Sequence, residues 1–180
     1  MTTINHTQRG AVLIISLIML LLMTILGITA MRTGLLEEKM AANSRDQTLA
    51  FQAAEIALRD AETWLMSQAT EPLPTDDGSN RVWNADTLDP VTNNAIGWWQ
   101  EPNRNAAWWT ANSEAFAPNI DNVNSSPLTI TEYHQYISDD LVVGDGNADA
   151  GRVFYRITAK GTGGSDQSRV LLQSTTAKRY

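Results

Sequence analysis

Residues 11–31 read AVLIISLIMLLLMTILGITAM, and this block constrains the chain more than any other. It runs about 21 residues without a charge, and as a helix it would rise roughly 31 Å, enough to cross the hydrocarbon core of a bilayer. The core helix of a soluble domain is rarely apolar on every face for so long, so the block is read as membrane-inserted. A secretory signal peptide would have a shorter apolar core and a small-residue cleavage site behind it. Here the sequence after the block, MRTGLLEEKMAANSRDQ, has helical character instead. An uncleaved signal anchor stays open as the alternative. Arg9 precedes the block and Arg32 follows it, so flanking charge does not decide its orientation.

The helical signal continues beyond the apolar block. Residues 35–67 contain no proline and are rich in Ala, Leu, Glu, Gln and Arg. Phe51, Ala54, Leu58, Ala61 and Leu65 follow at spacings of three and four, predicting one apolar stripe on a solvated helix. The expected helix is therefore apolar all round over 11–31 and one-sided over 32–67. At 1.5 Å per residue, 11–67 would span roughly 85 Å. Gly27 and Gly34 weaken it between the two regimes, each by about 1 kcal/mol relative to Ala. Two readings stand side by side. Ala30 and Gly34 make a small-xxx-small pair for close helix packing, or the segment loosens when the subunit moves between environments.

The rest of the chain, 68–180, reads as a globular domain. Of 180 residues none is cysteine, so that domain has neither a disulfide nor a thiolate metal site. The formal charge of −7, with no Lys/Arg cluster, argues against a nucleic-acid partner. Residues 69–128 hold most of the prolines and read as long connections with few regular elements. They also carry Trp83 and the pairs Trp98-Trp99 and Trp108-Trp109. Packing in the core is the preferred reading of these rings, and a ligand platform for sugar or protein is the sharper one. Strands are expected at 129–137, 152–161 and 168–176, with Val153, Tyr155, Ile157 and Ala159 alternating against Phe154, Arg156, Thr158 and Lys160. GTGGSDQ marks the turn between the last two. The fold class is α+β: the long helix packed on a small antiparallel sheet.

Little catalytic chemistry is offered. The two histidines are His6, near the start, and His134, in a strand, so the common nucleophilic and zinc arrangements lack parts. Asp139-Asp140 reads as a solvated acidic pair. The chain is expected not to be an enzyme. No cofactor is expected either, with Ca²⁺ the single candidate. In DGNADAG the oxygens of Asp145, Asn147 and Asp149 stand at alternate positions, which suits a calcium loop or an ordinary turn. Ala150 stands where an EF-type loop needs Gly, and Arg156 where it needs Glu.

Three stretches resemble a known family. MRTGLLEEKMAANSRD and LAFQAAEIALRDAE are similar to the N-terminal region of PilX-type minor pilins of the type IV pilus, and FYRITAKGTGGSDQSRVLLQST resembles their terminal hairpin. With the apolar block and the residues from Gln8 ahead of them, the similar regions run over 8–62 and 154–175, about half the chain; roughly 68–128 match nothing. The resemblance implies a leader, MTTINHTQRG, over residues 1–10, cut between Gly10 and Ala11 by prepilin peptidase, with N-methylation of the new terminus. It implies an inner-membrane single-pass protein of a Gram-negative cell that later joins a surface pilus. The implied partners are other minor pilins, the major pilin, the inner-membrane assembly platform and a tip-associated adhesin. Pilus assembly, adhesion and twitching motility are the implied functions. Two positions depart from the general pilin pattern: Ala11 stands where Phe is usual, and Ile15 where the fifth mature residue is usually Glu. That Glu is thought to pair with a neighbour's terminal amine, offsetting two charges in an apolar filament core. A subunit with Ile15 cannot make the pair, which suits one at the tip, with no earlier neighbour to satisfy. A signal-anchored ligand-binding module and a type II secretion pseudopilin remain the alternatives.

Overall fold

A computed structural model of the chain describes residues 11–89, 95–116, 118–139 and 151–180. Gly10, Asp140 and the loop residues Asp145, Asn147 and Asp149 lie outside them. The described residues fall into two compact units, one reaching to Ser44 and one from Arg45 to Tyr180. A 57-residue helix, α1 (Ala11–Ser67), runs unbroken through the boundary.

The second unit contains the rest. Strands β1 (Val82–Trp83), β2 (Glu114–Ala115), β3 (Leu128–Ser138), β4 (Gly151–Thr162) and β5 (Arg169–Arg179) form one sheet, with a short helix α2 (Ala106–Asn112) before β2. The expected antiparallel meander is present as β3–β4–β5, in register from Leu128↔Lys160 and Thr162↔Arg169 onward. The ladder shifts between Tyr133 and Gln135, placing an exposed His134 at the irregularity. The outer edge of β3 is shared: β1 pairs with it in parallel and β2 antiparallel. The sheet is therefore mixed rather than purely antiparallel. A two-residue strand gives no periodic signal, so β1 and β2 could not be read from their sequence.

Each face of the sheet carries a core. On one side Val153, Tyr155 and Ile157 of β4 pack with Ala61 and Leu65 of α1 and with Val82. On the other, Ile130 packs with Trp83, Leu88, Trp98 and Trp109 from the long connection. Val82 and Trp83, adjacent in β1, enter opposite cores, as strand alternation requires. The tryptophan pairs are thus split between burial and half-burial: Trp98 and Trp109 are buried, while Trp99 and Trp108 pack on their flank. The rings meet at centroid distances of 5.6–6.0 Å. As expected, the described part of the connection holds few regular elements, all of them short. Asn105 caps α2 by accepting from the Trp108 amide, which sets the second Trp pair onto the sheet.

The helix stripe differs from the expected one in a telling way. Its buried residues are Ala50, Ala53, Ala54, Ala57, Ala61 and Leu65, while Phe51 is 47% exposed. The cause is the closeness of β4. A Cβ added at Gly161 would fall on the Ala50 carbonyl oxygen and the Ala54 amide nitrogen. Strand and helix backbones approach so nearly there that only Gly and Ala fit, and a phenyl ring is turned aside.

Candidate assembly site on helix α1

The residues expected to act in assembly all lie on the outward part of α1. Every large apolar side chain from Val12 to Met31 is exposed, and the first charge after Ala11 is Arg32. This segment is long and apolar enough to cross a membrane. Its few polar groups do not spoil that surface. Ser16 donates to the Leu13 carbonyl, Thr24 to Leu21, Thr29 to Ile25 and Thr33 to Thr29, each at 2.8–3.1 Å. Hydroxyls bonded to their own helix make no demand on water, so the surface suits lipid or another apolar helix. Ile15 stands on this surface, 58% exposed. Gly27 and Gly34 have open space around them, since an added Cβ at either meets nothing within 4 Å.

From Arg45 onward α1 is tied to the globular unit by polar contacts that the sequence did not announce. Near its start, Asp46 accepts hydrogen bonds from the Gly164 and Ser165 amides and the Ser165 hydroxyl in the β4–β5 turn, at 2.5–3.2 Å. The Ser165 and Ser168 hydroxyls, ahead of the amides, hold its carboxyl below the ordinary carboxylate range. Glu62 accepts from Ser174 of β5 at 2.7 Å. The last turn of α1 has no basic residue of its own. Lys178 of β5 supplies one, donating to the Leu65 and Met66 carbonyls at 2.9 Å and to that of Gln68. That satisfies orphan carbonyls and sets a cation at the negative end of the helix.

A further polar tie holds the tryptophan layer. Glu132, 1% exposed, accepts from Arg156 Nε and Nη2 at 3.2 Å and from Trp98 Nε1 at 3.0 Å. This buried carboxylate has three donors, the condition under which such a charge is tolerated. The sequence held one clue: Glu132 and Arg156 sit at in-strand positions that pair in an antiparallel ladder. Asp139, expected as half of a solvated acidic pair, is ion-paired to Arg152 at 3.5 Å and to Arg179. Tyr155 is buried between Tyr133 and Tyr180, and desolvation drives its phenol pKa far above the ordinary value.

An exposed lipid-compatible helix joined to an α+β unit is an arrangement that needs other apolar helices or a membrane around it. Comparison with family models identifies which kind. The PilX N-terminal model matches residues 9–59, and the model of the C-terminal region of the type IV pilus assembly protein PilX matches residues 70–178. The chain belongs to the PilX family. It is a type IV pilus minor pilin, a structural component of the pilus that interacts with other pilus components, and the apolar stretch of α1 from Ala11 to Met31 fits membrane anchoring. No curated relative and no solved structure matches this PilX-family chain. The C-terminal match includes most of the long connection, which resembled nothing on its sequence alone.

Proposed function

We propose that this minor pilin primes pilus assembly and sits at or near the pilus tip. The observation that carries the reading is Ile15, exposed on an assembly surface that has no charge between Ala11 and Arg32. In a repeating subunit, a carboxylate at this position would offset a neighbour's terminal amine. A tip subunit has no such amine above it, and an unpaired carboxylate in an apolar bundle would cost about 3 kcal/mol. In this reading prepilin peptidase cuts after Gly10 at the inner membrane and the Ala11 amine is methylated. Its partners are the other minor pilins, the major pilin, the assembly platform and a tip-associated adhesin. Loss of the chain then reduces surface pili, adhesion and twitching together.

Transfer from lipid to filament keeps the helix in an apolar environment throughout. In the same reading, the glycine-weakened stretch around Gly27 and Gly34 loosens during that transfer. Faster amide exchange over 24–34 than over 50–60 in the membrane-held subunit is the expected result; equal protection removes the loosening. The test of tip placement is Ile15→Glu, with immunogold labelling of the subunit and counts of surface pili. Fewer pili, or label displaced from the tip, is expected. Unchanged number and position would sink the tip assignment, and an intact mass that still begins at Met1 would sink the processing step.

A further inference from the structure

The sheet face that carries the tryptophan layer also carries a cavity of about 380 Å³ at the β4–β5 turn end. Its apolar wall comes from Ala106 of α2, Ala115 of β2 and Leu128 of β3, and its charged side from Lys160 and Arg169. We propose that this cavity binds a small organic carboxylate, clamped by Lys160 and Arg169 over the apolar wall.

The sheet register brings the two cations together. Thr162 pairs directly with Arg169, and Lys160 pairs with Leu171, so Lys160 and Arg169 are diagonal neighbours on one face. Such positions lie roughly 7–8 Å apart, a span one carboxylate can bridge with two long donors. Lys160 is also held in place: its ammonium lies 5.1 Å from the centre of the buried Trp109 ring. Arg169 turns its Nε to the Asp166 carbonyl at 2.8 Å, which fixes the guanidinium at the rim. Among the described residues, no carboxylate oxygen stands within ion-pair distance of either cation. Asp166 is the single acid lining the cavity, and it makes no ion pair with them. Burial, and then the like charge of Arg169, hold the Lys160 ammonium below the ordinary lysine range, against the opposing pull of Asp166. A bound anion offsets both effects by pairing with the ammonium.

The chemistry of the wall selects the kind of anion. Thr110, Ser125, Ser126 and Thr162 add hydroxyls to the lining, but an inorganic ion such as phosphate needs donors on every side, and Ala106, Ala115 and Leu128 offer it none. An organic carboxylate places its charge on the cations and its body on the wall, the usual division of labour in a ligand pocket of this size. The chain's overall charge of −7 repels anions at long range, so recognition depends on the local pair.

The test uses the full chain in detergent, titrated with benzoate, benzyl alcohol and inorganic phosphate by calorimetry and tryptophan fluorescence. Saturable benzoate binding is expected, at least ~10-fold tighter than that of benzyl alcohol, since a charged hydrogen bond is at stake. Lys160→Met should weaken it ~10-fold or more and Lys160→Arg should retain it. Lys160→Met removes a half-buried charge without leaving a space, and its melting curve checks that the fold is kept. Equal binding of benzyl alcohol, phosphate binding tighter than benzoate, an unaffected Lys160→Met, or no saturable binding of benzoate would each overturn the proposal.

Discussion

The two parts of α1 obey opposite rules for apolar residues. From Ala11 to Met31 fifteen of the 21 residues are large and apolar, and every one is exposed. From Arg45 to Ser67 seven of 23 residues are large and apolar, yet the buried set is five alanines and one leucine. Hydrophobicity alone would assign the core to the wrong part. Burial within the chain requires a partner surface and room for the backbones to meet, and β4 supplies both through Gly161. Among the described residues the large apolar side chains from Val12 to Met31 stay exposed, and in a pilin such a surface is completed by lipid or by other subunits.

That contrast breaks most sharply under a charge. Leu22→Arg places a cation at the middle of the apolar block, at about 3 kcal/mol on insertion scales. The expected outcome is loss of the protein from membrane pellets and from pili, with the melting of the globular unit unchanged. A lowered melting temperature would mean that Leu22 is a core residue after all. Next in size is Gly161→Val. Its new atoms meet helix backbone and the Ala54 methyl, neither of which can swing away, and overpacking of this sort costs about 2–3 kcal/mol. Urea denaturation of the detergent-held chain should show the loss as a lower midpoint. The same change at Gly34, where an added Cβ meets nothing within 4 Å, should leave that midpoint in place.

The features that repeat along the sequence were legible in it. The long helix, the three long strands and the alternation within β4 follow from periods of 3.6 and 2, which many residues report together. What was hidden depends on distance between segments. The alanine stripe displaced Phe51 because Gly161, over a hundred positions away, brings a strand against the helix. Lys178 serves as the missing C-terminal cation of α1 only because β5 ends beside it. Trp98 is tied to the sheet by donating to the Glu132 carboxylate, 34 positions on. Of the site, the apolar surface and Ile15 were readable from composition and position. The cation pair of Lys160 and Arg169 was not, since it exists only once Thr162 and Arg169 are in register.

The smallest effect concerns the start of the packed part of α1. Asp46 lies two residues past Ser44, the boundary of the compact units, and its carboxylate holds the β4–β5 turn through Gly164 and Ser165. Its folded pKa is depressed, so between the folded and unfolded values the folded chain binds fewer protons than the unfolded one. The contribution is therefore complete above the unfolded pKa of about 4 and is lost as pH falls through the lower folded value. Solvent screening keeps it small at so exposed a group. Amide exchange at Gly164 and Ser165 should accelerate over that acidic window once the intrinsic pH dependence is divided out, and Asp46→Asn should flatten the response. Exchange that follows the intrinsic rate alone would show that the turn holds itself. The start of the packed region would then rest on the Ala50–Gly161 approach and not on the acid that precedes it.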